Sequence, residues 1–208
     1  MKAVRSVLMI ALALVVVFGA GVTQGQTEKE TFTGMLAQMS GAAAGATGSL
    51  QITVERWTTP EERKAYIEAM LEGKNEKTLE GKQRKLLDMM EDARGDKRVG
   101  FARFPRTLGW DLTYAWQFMR GSTRIVRVAT NRPIAFIEAR NSYRTMDYPF
   151  GLIEFQLDEK GEGKGMAYQA TSLIFNKDNV LEVETYGIGP QPILSVRAKK
   201  EEKKEDKK

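Results

Sequence analysis

The run Leu112-Thr113-Tyr114-Ala115-Trp116-Gln117-Phe118 decides the fold class, because large apolar side chains alternate along it with smaller or polar ones. Alternation with period two is typical of a β-strand that buries one face. It predicts that the leucine and the three aromatic side chains of this run all point into the core. Residues 153–157 repeat the pattern, with a glutamate and a glutamine at the intervening positions.

Working outward from this run, most of the chain consists of similar segments separated by short turns rich in Gly, Asn, Asp and Pro. Loops this short join antiparallel neighbours, since a parallel crossover needs a dozen residues or more. A sheet of about eight to ten strands curls into a barrel or folds into a sandwich, and the pattern leaves both open. The predicted strands are residues 31–38, 50–57, 99–104, 112–118, 124–130, 134–140, 153–157, 165–176, 181–186 and 193–196.

Two helices interrupt this β pattern after the second strand, which makes the predicted class mainly β with an α+β character. The first spans residues 60–72, because Thr59-Pro60-Glu61-Glu62 combines an N-cap threonine, a proline at the first helical position and a capping-box glutamate. Leucines and methionines at helical spacing predict the second over residues 76–94. We expect the pair to cover one face of the sheet or to plug one end.

The first 25 residues are typical of a signal peptide. Lys2 and Arg5 precede an apolar run at residues 7–18, and small residues follow up to a cleavage site near Gly25. The alternative is a retained membrane anchor over residues 7–22. Cleavage predicts an exported protein, periplasmic or extracellular, whose mature form does not span the membrane. The predicted body is a single domain at residues 26–197, and residues 198–208 form a charged tail predicted to be disordered.

The charge distribution argues against a nucleic-acid partner. Of the net charge of +5, the signal segment contributes a net +2 and residues 197–208 a net +3, so residues 26–196 carry no net charge. A body without net positive charge lacks the electrostatic attraction that a phosphate backbone requires.

The chain contains no histidine and no cysteine. This composition excludes catalytic triads with histidine, cysteine nucleophiles, and zinc, copper or haem sites built on imidazole or thiolate. We therefore expect no cofactor and no metal. The acidic turns at Asp158 and Asp178 lack the ligand order of an EF-hand calcium loop. An exported domain without cysteine must be stabilised by core packing, which suits a bacterial periplasm.

Four segments resemble those of an uncharacterised family of secreted bacterial proteins. They are Leu108-Gly109-Trp110, residues 125–134, Asp147-Tyr148-Pro149-Phe150 and the glycine-rich hairpin at residues 161–165. The resemblance extends over most of residues 32–196. It implies export, and it implies neither an activity nor any functional residue.

Three residues are candidates for ligand binding: Trp110, Arg132 and Asp147. Trp110 precedes the aromatic strand in a loop, where an exposed ring would indicate recognition. Arg132 lies in the turn Asn131-Arg132-Pro133, where it would either bind an anion or pair with Asp111 or Asp147.

No catalytic residue is assigned. A two-carboxylate hydrolase site would need Glu138, Asp147 and Glu154 to converge, whereas carboxylates on exposed strand faces ordinarily pair with arginines. The sequence thus predicts a secreted non-enzymatic binding or interaction module of the bacterial envelope, with an unknown ligand or envelope protein as partner. The alternative is a carboxylate-dependent hydrolase acting on envelope glycan.

Overall fold

The structure is a computed structural model that describes residues 29–39, 45–104, 109–134, 147–175, 181–186 and 189–200. The predicted signal segment, most of the strand predicted at 134–140, and residues 201–208 lie outside these ranges. The described residues form two helices, α1 (Pro60–Gly73) and α2 (Leu79–Asp92), a 3-10 turn at Gly95–Lys97, and ten strands. The strands are β1 (Glu30–Ala37), β2 (Thr47–Val54), β3 (Gly100–Arg103), β4 (Trp110–Leu112), β5 (Tyr114–Arg120), β6 (Thr123–Thr130), β7 (Phe150–Leu157), β8 (Glu162–Phe175), β9 (Leu181–Thr185) and β10 (Gln191–Lys200).

The strands form one antiparallel sheet in the order β4-β3-β2-β1-β10-β8-β7-β6-β5, with β9 paired to β8 outside this path. Its two edge strands, β4 and β5, are consecutive in sequence and meet at a bend at Thr113. The backbone N–H of Thr113 donates to the Ala129 carbonyl at 3.0 Å. The sheet therefore nearly closes into a barrel, which confirms the mainly β class and decides between the two architectures left open.

The barrel interior is filled by side chains. Phe32 and Phe155 stack with ring centroids 5.3 Å apart. Around them lies an apolar cluster drawn from most of the strands: Leu36, Leu50, Ile52, Val54, Ala102, Leu112, Ala115, Val126, Val128, Ile153, Leu157, Ala167, Ile193 and Val196. Burial of this apolar surface is the main term that stabilises a domain without disulfides.

An ion pair lies against one margin of this apolar cluster. Arg124 donates from both terminal nitrogens to the two carboxylate oxygens of Glu30, at 2.7 and 2.6 Å, and from Nε to Gln117 at 2.7 Å. The Arg124 guanidinium lies 5.8 Å from the ring centroids of Phe32 and Trp57. The Glu30 side chain is only 4% exposed. A charge buried to this degree is tolerated because its partner is bidentate.

The helix pair packs on the outer face of the sheet. Of the two predicted arrangements, it therefore covers one face and does not plug one end. Helix α1 begins at the predicted capping box: Thr59 accepts from the backbone N–H of Glu62, and the Glu62 carboxylate accepts from that of Thr59. It ends one residue beyond the predicted position. Helix α2 begins later than predicted, at Leu79, because the Thr78 hydroxyl caps it by accepting from the Gly81 N–H.

Helix α2 is fastened to the sheet by one glutamine. The buried Gln83 amide donates to the Leu173 carbonyl at 3.0 Å and accepts from the Leu173 N–H at 2.9 Å. The pairing of β7 with β8 ends at Thr171 of β8. The Gln83 side chain thus makes the two backbone hydrogen bonds at Leu173 that a neighbouring strand would otherwise make.

The bend at Thr113 overturns one prediction. Leu112 on β4 and Ala115 on β5 both point into the barrel and are fully buried. They lie three positions apart, and a regular strand would place them on opposite faces. The aromatic side chains of Tyr114, Trp116 and Phe118 consequently lie on the outer face, each partly exposed. The prediction that they form the barrel core is wrong, because a single irregular residue reverses every side chain that follows it.

The C-terminal boundary also differs from the prediction. Strand β10 runs to Lys200, and its register with β1 pairs Lys200 with Glu30. Residues 198–200, which the sequence assigned to the tail, therefore belong to the sheet. Within the described ranges, no helix combines the length and the hydropathy needed to cross a bilayer.

Candidate functional site

Trp110 lies at the margin of the core rather than in an exposed loop. Its indole Nε1 donates to the Pro133 carbonyl at 3.2 Å, and its ring meets Phe104 edge-on with centroids 5.3 Å apart. Gly109 precedes it with φ +80°, and a Cβ there would come within 2.6 Å of the Ala102 carbonyl. The local backbone therefore requires glycine and presents the indole to the barrel.

Arg132 forms neither of the two ion pairs suggested by the sequence. Its guanidinium lies 5.7 Å from the Trp110 ring centroid and donates to the Gly109 carbonyl at 2.7 Å. Asp111 instead pairs with Arg98 at 3.5 Å. Asp147, half-buried before β7, forms no ion pair with any described residue. The structure thus brings Trp110 and Arg132 together but shows no contact between either of them and Asp147.

The carboxylates of the hydrolase alternative do not form a described pair. Glu154 accepts from Arg127 Nε at 2.7 Å and from Gln156 at 3.2 Å, which confirms the cross-strand partner expected on an exposed face. Glu138 lies outside the described residues. Across the described part of the chain, no group of three acidic side chains is arranged to hold a metal ion.

The acidic turn at Asp158 is occupied by its own backbone. Asp158 Oδ1 accepts from the N–H groups of Lys160 and Glu162, both at 2.9 Å. This geometry is that of a turn in which aspartate replaces a backbone acceptor. Asp178 lies outside the described residues.

The strongest candidate site is an apolar groove between the helix pair and the outer face of the sheet, with a volume of about 160 Å³. We call it the helix groove. Both helices and strands β5 to β9 contribute to its lining. The lining residues are Arg63, Tyr66, Ile67, Met70, Leu86, Met90, Tyr114, Arg127, Val128, Ala129, Leu152, Ile153, Glu154, Tyr168, Leu173, Leu181 and Val183.

The floor of the helix groove follows from strand register. Tyr114, Ala129, Leu152 and Tyr168 lie directly opposite one another on β5, β6, β7 and β8. Tyr66 from α1 meets Tyr114 edge-on, with ring centroids 6.0 Å apart. Side chains on one face of neighbouring strands form a continuous surface, so four strands supply one apolar floor.

The three tyrosines of the helix groove are neutral at physiological pH. Burial, reinforced by the charge of Glu62, raises the pKa of Tyr66 to about 12. Burial also raises the pKa of Tyr114, although the charge and hydrogen bond of Arg63 offset part of the rise. Burial and the charge of Glu154 raise the pKa of Tyr168. The phenols therefore supply hydrogen bonds and no charge.

The charged residues of the helix groove are Arg63, Arg127 and Glu154. Arg127 and Glu154 neutralise each other through their ion pair. Arg63 lies 5.0 Å from the ring centroid of Trp116, and no carboxylate among the described residues lies within ion-pair distance of it. The helix groove thus carries one positive charge that has no counterion among the described residues.

Comparison with protein-family models, curated proteins and solved structures finds no match for this chain.

A second depression, on the outer face of β2 and β3, has a volume of about 300 Å³ and is the larger of the two. It is open and polar. Arg98 there is bound to Glu55 at 3.2 Å, and Arg103 stacks on Phe101. A ligand would have to displace these contacts without gaining an apolar surface. The helix groove is therefore the stronger candidate despite its smaller volume.

The sequence identified only half of the helix groove. The helical spacing of Tyr66, Ile67 and Met70 marks the inner face of α1. The facing strand residues escaped detection because the period-two pattern assigned Tyr114 to the barrel interior. No local signal sets Thr113 apart from the other small or polar residues that alternate along this run, so the bend could not be found from the sequence.

Proposed function

We propose that this protein is a secreted, non-enzymatic binding module of the bacterial envelope, and that the helix groove is its ligand site. The observation that carries the proposal is an apolar groove on the outside of a filled barrel, lined by neutral tyrosines and methionines. Concave apolar surfaces with a few polar groups are the usual form of a small-molecule site. Methionine side chains adapt to ligands of different shape.

The hydrolase alternative has weaker support. One of its three carboxylates, Glu154, already accepts hydrogen bonds from Arg127 and Gln156, contacts that it would have to give up to face a glycan across a cleft. Turnover of peptidoglycan or another envelope polysaccharide that is lost in Asp147→Asn or Glu138→Gln would overturn the non-enzymatic assignment.

A neutral fluorescent probe, N-phenyl-1-naphthylamine, tests the helix groove directly. We expect saturable binding with a rise in probe fluorescence. The Leu152→Trp variant should abolish it, because Leu152 lies on the floor of the groove and an indole fills the space. The matched control is Leu194→Trp, since Leu194 is 49% exposed on β10, away from the helix groove. Undiminished binding by Leu152→Trp, or no saturable binding by the native protein, would contradict the proposal.

The mass of the mature protein tests whether the chain is exported and its signal segment is cleaved. We expect a bacterial cell that expresses the full chain to release a mature form cleaved near Gly25 into the periplasm or medium. The intact mass of the recovered protein checks this. A recovered chain that retains residues 1–18 would indicate a membrane anchor instead.

A further inference from the structure

Building on the proposed function, we propose that the helix groove binds a small organic monoanion, with its apolar body on the sheet and its carboxylate on Arg63. Three observations carry this inference: the charge of Arg63, which no described carboxylate compensates, the stacking of its guanidinium on Trp116, and the volume of the groove.

The charge selects an anion. Arg127 is neutralised by Glu154 at 2.7 Å, whereas no described carboxylate pairs with Arg63. On the same helix, Glu62 is held by Arg56 at 2.9 Å and is not available to Arg63. One uncompensated positive charge beside an apolar surface matches a ligand with one negative charge. A second negative charge on the ligand would find no further uncompensated arginine in the groove lining, because Arg127 is already paired with Glu154.

The guanidinium of Arg63 is held in place before any ligand arrives. It lies over the Trp116 ring at 5.0 Å, and its positive charge lowers the pKa of the neighbouring Tyr114, which offsets part of the rise caused by burial. A stacked guanidinium loses little freedom when a carboxylate binds to it, and it offers paired N–H donors to two oxygens. Trp116 and Tyr114 lie on the outer face only because of the bend at Thr113.

The volume limits the apolar body of the ligand. The helix groove holds about 160 Å³. An apolar protein cavity of about 150 Å³ is sufficient for one benzene ring. The groove therefore encloses a single ring or a short acyl chain, and the remainder of a larger molecule, such as the second ring system of N-phenyl-1-naphthylamine, would extend out of its open side.

Displacement of N-phenyl-1-naphthylamine by octanoate and by octan-1-ol tests the inference, since the two differ in charge and have chains of equal length. We expect octanoate to displace the probe at a concentration on the order of tenfold lower, the usual effect of a hydrogen bond to a charged group. Arg63→Gln should remove this preference, so that octanoate and octan-1-ol displace the probe at similar concentrations, while Arg63→Lys retains part of it. The control is Arg120→Gln, which removes an arginine that stacks on Phe118 outside the groove lining.

The outcomes separate the two proposals. If the probe binds but octanoate and octan-1-ol displace it equally, the helix groove is a binding site and the monoanion inference is wrong. If Arg63→Gln keeps the preference, the carboxylate binds elsewhere and the inference also fails. If the probe does not bind, or if a concentration-dependent dimer excludes it, both proposals are overturned.

Discussion

At the scale of single residues, Trp110 and Trp116 differ in what their rings contact. Trp110 packs against Phe104 and donates a hydrogen bond to Pro133, whereas Trp116 lies on the outer face beneath Arg63. The difference follows from the bend at Thr113, not from residue type.

The two tryptophans should therefore contribute unequally to stability, Trp110 more than Trp116. Trp110→Ala should lower the free energy of unfolding by about 2–3 kcal/mol, because it leaves a gap beside Phe104 and an unpaired carbonyl. Trp116→Ala should cost only about 1 kcal/mol, since it removes a partly exposed ring and one cation–π contact. Urea denaturation of both variants provides the measurement. A larger loss for Trp116→Ala would show that its ring is core.

A second prediction at this scale concerns the Arg124–Glu30 pair. Glu30→Gln should lower the free energy of unfolding by about 3–5 kcal/mol, because it leaves the Arg124 guanidinium without its counterion. The control is Glu162→Gln, whose partner Arg197 is 75% exposed, and it should cost less than about 1 kcal/mol. Equal melting temperatures for the two variants would mean that the buried pair contributes no more than an exposed one.

At the scale of elements, α1 is docked on the sheet through Tyr66. Its hydroxyl donates to the Thr113 carbonyl at 3.1 Å, and its ring meets Tyr114. The same side chain therefore holds the helix, supports the bend that separates β4 from β5 and lines the helix groove.

This docking predicts a loss of stability at high pH. The pKa of Tyr66 is about 12 in the folded protein against an ordinary value of about 10. Between these values the unfolded chain loses the proton and the folded chain keeps it, so the free energy of unfolding falls as pH rises. Tyr66 contributes at most about 1.4 kcal/mol per pH unit to this slope. Below a pH of about 10 both states keep the proton, so the stabilisation by the buried phenol is fully present.

Urea denaturation from pH 8 to 11.5 checks this dependence. Tyr66→Phe should flatten the slope without abolishing it, because burial also raises the pKa of Tyr114 and Tyr168. Tyr186→Phe removes a phenol from an exposed position and serves as the control. Identical slopes for the native protein and Tyr66→Phe would show that the helix does not dock through this side chain.

At the scale of the whole molecule, the sheet is nearly closed and β9 stands outside the closed path. Strand β9 pairs only with the second half of β8, whereas β8 is paired on both sides through its first half. The contacts that close the barrel lie where the edge strands β4 and β5 meet. There the loop before α1 also bonds to β5, through Thr58 and Ala115.

Amide hydrogen exchange should follow this division. We expect the amides of β9 to exchange at least about tenfold faster than those of β6 and β7, since local opening of a strand paired on one side breaks fewer contacts. Mass spectrometry of peptides covering 181–186 and 150–157 measures the difference. Equal protection would indicate that β9 opens only when the barrel does.

The sequence by itself determined the features that depend on neighbours along the chain. The antiparallel β class follows from period-two runs joined by short turns, and the start of α1 follows from groups three residues apart, Thr59 and Glu62. The cross-strand pairing of Glu154 with an arginine also followed from the ordinary composition of an exposed strand face. Each of these is set by local geometry, which composition and spacing display directly.

Only the tertiary structure decided which side of the sheet carries the candidate site. The direction of Tyr114 and Trp116 depends on the bend at Thr113, and that bend is held by Ala129, sixteen positions away in sequence. The last strand, β10, enters the sheet between β1 and β8, a pairing that no turn specifies. The helix groove is likewise assembled from seven separate elements. Packing between distant segments fixes all three features, because each is stabilised by contacts that exist only once the barrel has formed.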